Sequence, residues 1–236
     1  MAIAIRGVPK TFTANNGGDV TLTQDVSTPP LVNDIVIAFG GHANTATTLG
    51  VPVGNTSGNY IQLGIHTGSG SIFGAWYQRM GATPDLTVVC DGGGNNADGV
   101  QYGCWVISGV DTVTALDATP TTAGPITSTN PDCVSITTVT NNAWVFAMAG
   151  SNNRDTSPGT PSGYTDFLAN SRNESNDASI AGARIEKVSF GAENPPAFPT
   201  WISGDWYAIT AAFRPAAAGG GIKIPIITHQ FRQRYN

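Results

Sequence analysis

Two stretches decide the fold: NDIVIAFGG at residues 33–41 and NAWVFAMAG at residues 142–150. Both are short, apolar and rich in β-branched and aromatic residues, which favours β-strands. Each begins with Asn, has Val at its fourth position and ends with Gly. These matched residues lie 109 positions apart: Asn33 and Asn142, Val36 and Val145, Gly41 and Gly150.

Further matches follow in the same order along the chain, which indicates an internal duplication. Tyr60 matches Tyr164 at an offset of 104. At an offset of 108, Ile72–Ala75 matches Ile180–Ala183, and Gln78-Arg79 matches Glu186-Lys187. At an offset of 105, Gly99 matches Gly204 and Tyr102 matches Tyr207. Insertions in the loops between matched strand positions would change the offset by a few residues in this way. We therefore place pseudo-repeats at about 33–110 and 142–215; chance similarity between two strand-rich halves is the alternative.

Composition agrees with an all-β protein. The 236 residues contain 11% charged residues and 29 glycines, whereas average soluble proteins have about 25% charged residues. Short strand-like runs alternate with Gly, Asn, Ser and Pro clusters. The stretch ASIAGARIEKV (178–188) could form a short helix, but its counterpart in the first half is strand-like, so we predict a strand.

Because four strands cannot bury a face alone, we expect the two halves to pack against each other. The predicted fold is a jelly-roll-like antiparallel β-sandwich over residues 1–215, with a leading strand within 10–23. The expected core positions are Val36, Phe39, Trp76, Val88, Trp105, Trp144, Phe146, Ile185, Trp206 and Ile209.

The C-terminal segment differs from the rest of the chain. Residues 216–221 (AAAGGG) are typical of a flexible linker, and residues 222–236 combine apolar and basic side chains without an acid. Residues 216–236 carry three cations, whereas residues 1–215 have 8 Lys and Arg against 16 Asp and Glu, a net charge of −8. We predict a docking arm; a frayed terminus is the alternative. Its expected contact residues are Ile222, Lys223, Ile224, Ile226, Ile227, Phe231, Arg232, Arg234 and Tyr235.

Chemical motifs are sparse. The histidines His42, His66 and His229 occur in no hydrolase or metalloprotease motif, and Cys90, Cys104 and Cys133 form no CxxC pair, so we expect buried free thiols. We predict no catalysis and no cofactor. The loop 91–99 offers Asp91, Asn95 and Asp98 as oxygen ligands for calcium, but a plain turn fits its spacing better. Tyr60, Trp76, Tyr77 and Trp201 are candidate glycan-contact aromatics if they are exposed.

Several segments resemble β-sandwich proteins of tailed phages and prophages. They are NDIVIAFGG, ISGVD (107–111), LDATP (116–120), PSGYT (161–165) and the terminal strand DWYAITAAFRP (205–215). The resemblance covers about residues 19–215 and does not include the arm. It implies a virion structural component, either a capsid decoration protein or a tail or fibre module.

Taken with the docking arm, the resemblance favours a capsid decoration (cement) protein on the head. Its expected partners are the major capsid protein or tail subunits and further copies of this chain. We expect no nucleic-acid binding, because an acidic body lacks the basic surface that such binding requires. We also expect no membrane span, because no apolar run approaches about 20 residues. Without a signal-peptide pattern, assembly in the bacterial host cytoplasm and residence in the virion are expected. A carbohydrate-binding tail or fibre module is the alternative.

Overall fold

The computed structural model describes residues 1–14, 17–43, 49–68, 70–93, 99–153, 158–172 and 177–217. Within these ranges the chain forms β-strands and no helix. The strands are β1 (Ala4–Ile5), β2 (Lys10–Ala14), β3 (Val20–Thr23), β4 (Ile35–His42), β5 (Val53–Gly54), β6 (Ile61–Gly68), β7 (Ser71–Arg79), β8 (Thr87–Cys90), β9 (Val100–Ser108), β10 (Leu116–Ser128), β11 (Ile136–Thr138), β12 (Ala143–Ser151), β13 (Thr165–Arg172), β14 (Ala178–Lys187), β15 (Gly191–Glu193) and β16 (Gly204–Phe213). The strand predicted over residues 178–188 is confirmed.

Two large antiparallel sheets make the sandwich, and they share one strand order. The first sheet runs β9-β4-β7-β6, with β1 and β2 pairing along the free side of β9. The second runs β16-β12-β14-β13, with β10 on the free side of β16. If the four long strands of each half are numbered along the chain, both sheets have the order 4-1-3-2. The all-β sandwich is confirmed; its jelly-roll-like character and its origin in a duplication stay predictions, which this order supports.

Local geometry also recurs between the halves. Asn33 and Asn142 both adopt the left-handed region, with φ of 70° and 59°, a conformation that Asn tolerates better than most residues. Each precedes the first long strand of its sheet. The second long strand has a register shift in both sheets, between Gln62 and Gly64 and between Thr165 and Leu168. The shared shift places a bulge at the same point of each half.

The sequence matches at offsets of 108 and 105 are wrong by one residue, because Gly41 pairs with Phe73 and Gln101 whereas Gly150 pairs with Ile180 and Tyr207. Ile72 packs outside the sandwich, whereas Ile180 lies in its interior. Tyr102 and Tyr207 differ in the same way. Because side chains alternate between the faces of a strand, an alignment shifted by one position exchanges the faces.

The predicted single core is instead divided into layers. Of the expected core residues, those between the two sheets are Phe39, Trp105, Trp144, Phe146 and Ile209. Those in a cluster on the outer face of the first sheet are Val36, Trp76 and Val88. Trp206 and the half-buried Ile185 lie on the outer face of the second sheet. The burial of Trp105 and Trp144 is confirmed, but one shared core is not.

Small elements cover both outer faces. A three-stranded sheet, β3-β8-β5, covers the first sheet. Loop residues Cys133, Phe198 and Trp201, together with the pair β11-β15, cover the second. The leading strand expected within 10–23 is therefore two strands, since β2 joins the first sheet and β3 joins its cover. With both faces covered, β4 and β12 are buried along their whole length.

Candidate functional site

The beginning and the described end of the chain meet at one end of the sandwich, which we call the terminal end. The Met1 nitrogen donates to the Ala216 carbonyl at 2.8 Å, and the Ala216 amide donates to the Gly109 carbonyl at 2.7 Å. An open cavity of about 620 Å³ lies here. It is lined by Met1, Ala2, Asp111, Thr140, Asn141, Asn142, Arg214, Pro215, Ala216 and Ala217. We call it the terminal cavity.

A buried carboxylate behind the terminal cavity holds Thr140 and Arg214, two residues that line it. Asp117 accepts hydrogen bonds from the amides of Val139 and Thr140, at 2.6 and 3.1 Å, and from the Thr140 hydroxyl at 2.6 Å. Its other contact is Arg214 Nε at 3.2 Å. Because the Asp117 side chain is fully buried, these partners replace the water that its charge would otherwise require. They join the last described strand to the segment that precedes β12.

Asp111 lines the terminal cavity itself, and its carboxylate lies at the exposed surface. The amides of Val113 and Thr114 donate to it at 2.9 and 2.8 Å. These backbone hydrogen bonds, with that from Thr114 the larger cause, lower the pKa of Asp111. The Asp111 amide donates to the Arg214 carbonyl at 2.9 Å. The cavity therefore presents a negative charge beside Arg214.

Exposed apolar side chains lie on the loops of the terminal end, outside the wall of the cavity itself. Hydrogen bonds join two of them to residues that line the cavity: the Val188 carbonyl accepts from the Asn142 amide, and the Phe190 amide donates to Asn141 Oδ1. Arg79 joins the turn at Asn33 to the Asp111 carbonyl. We call these exposed side chains the apolar ring; its members are Leu31, Val32, Val113, Val139, Val188 and Phe190, exposed by 51, 52, 92, 58, 66 and 65%. Exposed apolar groups gathered at one place are typical of an interaction surface.

The opposite end of the sandwich contains a much smaller space. Its volume is about 10 Å³, and Gly41, Ser71, Phe73, Gly150 and Ile180 contribute to its walls. That is room for about one water molecule. The terminal cavity is therefore the better candidate for binding a side chain or a peptide.

The predicted glycan-contact residues are buried, so that prediction is wrong. Tyr60 and Trp76 pack beneath the β3-β8-β5 sheet, at 4% and 0% exposure. Tyr77 packs edge-to-face on Phe213 in the sandwich interior, and Trp201 packs against Phe198. Apolar runs that are covered on both faces leave these rings no access to a sugar.

Only part of the calcium prediction falls on described residues. The Asp91 carboxylate accepts hydrogen bonds from the amides of Gly50 and Gly93, at 2.6 and 2.8 Å, as in the plain-turn interpretation. Asn95 and Asp98 lie outside the described residues. Across the ranges that the structure describes, no three His, Cys, Asp or Glu side chains group as a metal site.

The arm itself also lies outside the described residues, which end at Ala217. Its predicted contacts, from Ile222 to Tyr235, therefore stay predictions.

The three cysteines are buried and free, as expected. In the described part of the chain, no helix is long and apolar enough to span a bilayer.

Sequence reasoning missed the terminal cavity, although it had singled out segments that meet at or beside it. ISGVD supplies Asp111, LDATP supplies Asp117 and the terminal FRP supplies Arg214. These residues meet through the Asp117–Arg214 ion pair and the hydrogen bond from the Asp111 amide to the Arg214 carbonyl. A comparison of the chain with protein-family models, curated proteins and solved structures finds no match.

Proposed function

We propose that this chain is a structural protein of a tailed-phage virion, a capsid decoration protein that attaches to the head through residues 222–236. Its partners are other virion proteins, the major capsid protein foremost, and its role is structural instead of catalytic. The observation that carries the proposal is the terminal end. There the described residues end at Ala217, beside the terminal cavity and at the same end as the exposed apolar side chains.

The arm suits docking because of its composition and its point of departure. Hydrogen bonds hold the chain as far as Ala216, and in the sequence three glycines at 219–221 precede the arm. Burial of its isoleucines and Phe231 would provide most of the affinity, at about 25 cal/mol per Å² of apolar surface. Lys223, Arg232 and Arg234 would set the register, since exposed ion pairs add only about 0–1 kcal/mol each.

The ion pairs of the body support a structural role. Asp34 pairs with Arg6, Asp117 with Arg214, and Asp166 with Arg184, and each pair joins separate segments of the chain. Lys187 and Glu193 pair at 3.2 Å next to the Tyr164 hydroxyl. These carboxylates stabilise the fold. The alternative of a sugar-binding module gains no support, because its candidate aromatics are buried.

The proposal is tested by binding to assembled particles. The variant Ile224→Asp/Ile227→Asp adds two charges to apolar arm positions, and the matched control Gln230→Asp/Gln233→Asp adds the same charges to polar ones. We expect co-sedimentation with undecorated particles to fall at least tenfold for the isoleucine variant and to stay within a few-fold for the control. Equal binding of both variants would show that the arm is a frayed end.

Cryo-electron microscopy of the particles tests the location. Density for a β-sandwich on the outside of the head is the expected result. Density on the tail alone would refute the assignment to the head, and absence from the particle would refute the virion role.

A further inference from the structure

We infer that the terminal end is the contact surface for a second copy of this chain. Two copies meet terminal end to terminal end and exchange arms, so that residues 222–236 of each copy fill the terminal cavity of the other. This inference rests on the proposed docking role of the arm and adds a second copy to its partners. In the exchanged pair one face of each extended arm fills the cavity, and the other face stays available to the virion protein.

The size of the cavity fits a peptide segment. Its volume of about 620 Å³ lies within the range of about 300–1,000 Å³ usual for binding pockets. Ala2 and Pro215 supply apolar wall surface, while Asn141 and Asn142 supply amide groups. An extended segment with alternating apolar and polar side chains can use both kinds of wall, and the arm has that composition.

Position explains why the exchange would be reciprocal. Ala216 and Ala217 line the cavity, so each arm departs from the wall of the site that receives its counterpart. The 19 residues from 218 to 236 span up to about 60 Å when extended, enough to cross to a facing copy. An interface that uses the same surface on both copies closes with two-fold symmetry. A head-to-tail contact would leave one cavity without an arm.

The apolar ring favours a second copy over the chain's own arm. An arm folded back into its own cavity would leave ring members that do not line the cavity, such as Leu31 and Val32, in water, where they are 51 and 52% exposed. A facing copy places its own ring against them. Stable interfaces bury about 800 Å² per partner, which requires a broad surface of this kind and not a cavity alone.

Charge is also compatible with this arrangement. The Asp111 carboxylate is exposed at the cavity wall, and the backbone amides of Val113 and Thr114 stabilise its ionised form. It can accept Lys223, Arg232 or Arg234 of the incoming arm. Asp117 is already bound by Arg214, so Asp111 is the acidic group that the cavity offers to a partner.

The first experiment measures the mass of the purified chain in solution by light scattering. We expect the full chain to have twice its 24.4 kDa mass, and a chain ending at residue 217 to be monomeric. Phe190→Asp should also give a monomer. Ile202→Asp is the matched control, because Ile202 is similarly exposed, at 53% against 65%, and precedes β16 at the opposite end. A monomeric full chain, or a dimer that persists without the arm, overturns the inference.

The second experiment separates exchanged arms from arms folded back. Copies carrying Ala2→Cys are mixed with differently tagged copies carrying Ile226→Cys and oxidised; the native cysteines are buried. A disulfide between the two tagged copies is the expected result. No disulfide between copies, together with an internal disulfide in the Ala2→Cys/Ile226→Cys double variant, would assign the arm to its own cavity. A monomeric chain that still binds particles through its arm would overturn this inference and leave the proposed function standing.

Discussion

The substitution Gly182→Ala tests the tightest contact between the two sheets. Gly182 lies in β14, and a Cβ there would be 2.4 Å from Trp105 Cη2 and 2.8 Å from Phe39 Cζ. These rings are stacked with centroids 4.7 Å apart, and Phe146 packs edge-on against Trp105 at 5.1 Å. Trp105 Nε1 also donates to the Asp166 carbonyl at 3.0 Å. The rings are therefore held in place and cannot yield to the methyl group.

Two opposing effects decide how much Gly182→Ala changes the free energy of unfolding. Alanine in place of a strand glycine reduces the freedom of the unfolded chain, which favours folding by roughly 0.5–1 kcal/mol. Overpacking a filled core costs about 1–3 kcal/mol. Overpacking is the larger effect, so we expect Gly182→Ala to lower the free energy of unfolding by about 1–2 kcal/mol. Urea unfolding followed by tryptophan fluorescence measures this, with an unchanged m value as the sign that only stability changed.

A matched control and a double variant isolate the clash. A Cβ on Gly81 meets no atom within 4 Å, so Gly81→Ala should be neutral or slightly stabilising. Trp105→Phe removes Cη2, and Gly182→Ala should cost at least about 0.5 kcal/mol less in that background, as expected for side chains in contact. If Gly182→Ala is harmless, or costs the same in both backgrounds, the packing described between the sheets is wrong.

Three further predictions concern charged and buried groups. Asp117→Ala leaves Arg214 and the amides of Val139 and Thr140 without their acceptor, so urea unfolding should show a loss of about 3 kcal/mol; the exposed Asp132→Ala is the control, and an equal effect of both would contradict the role of Asp117. Hydrogen bonds from the Ser27 hydroxyl and amide and from the Thr28 hydroxyl lower the pKa of Asp25 from 3.8 to about 2. Because this pKa is lower in the folded chain than in the unfolded chain, Asp25 stabilises the fold fully above about pH 4, and this stabilisation is lost as the pH falls towards 2. A carboxyl NMR titration should show this midpoint, and Ser27→Ala should raise it; a midpoint near 4 in the unmodified chain would refute the assignment. Burial raises the pKa of Cys104 and Cys133 to about 12 and that of Cys90 well above its usual value, so at pH 8 the native chain should not react with a thiol reagent that modifies three thiols after unfolding, and rapid native labelling would contradict their burial.

The sequence indicates the strands well and their faces poorly. Runs such as DIVIAF and AWVFAMA predict β4 and β12, because β-branched and aromatic residues concentrate there. In these strands both faces are covered, so the apolar run is continuous and does not show which side faces the sandwich interior. That is why Val36 and Trp76 were assigned to the same core as Phe39, although they pack on the opposite face. The same ambiguity shifted the match between Ile72 and Ile180.

The terminal end could not be located from the sequence because its parts are distant along the chain. Asp117 and Arg214 are 97 residues apart, and neither belongs to a motif with a known partner. Composition did predict the arm, since a glycine linker followed by isoleucines and arginines is evident without a structure. The surroundings of Ala217, the last described residue before the arm, required the strand pairing of both halves.

Each large sheet is built from one half of the chain, and this affects the order of events during synthesis. The first sheet has all its strands once residue 108 has left the ribosome, but the second needs β16, which ends at Phe213. Until then the inner face of the first sheet, with Phe39, Phe73 and Trp105, has no sheet to cover it. Exposed apolar surface of this kind makes incomplete chains prone to aggregate. Slow translation of residues 109–213 would therefore lengthen the time for which this face stays uncovered.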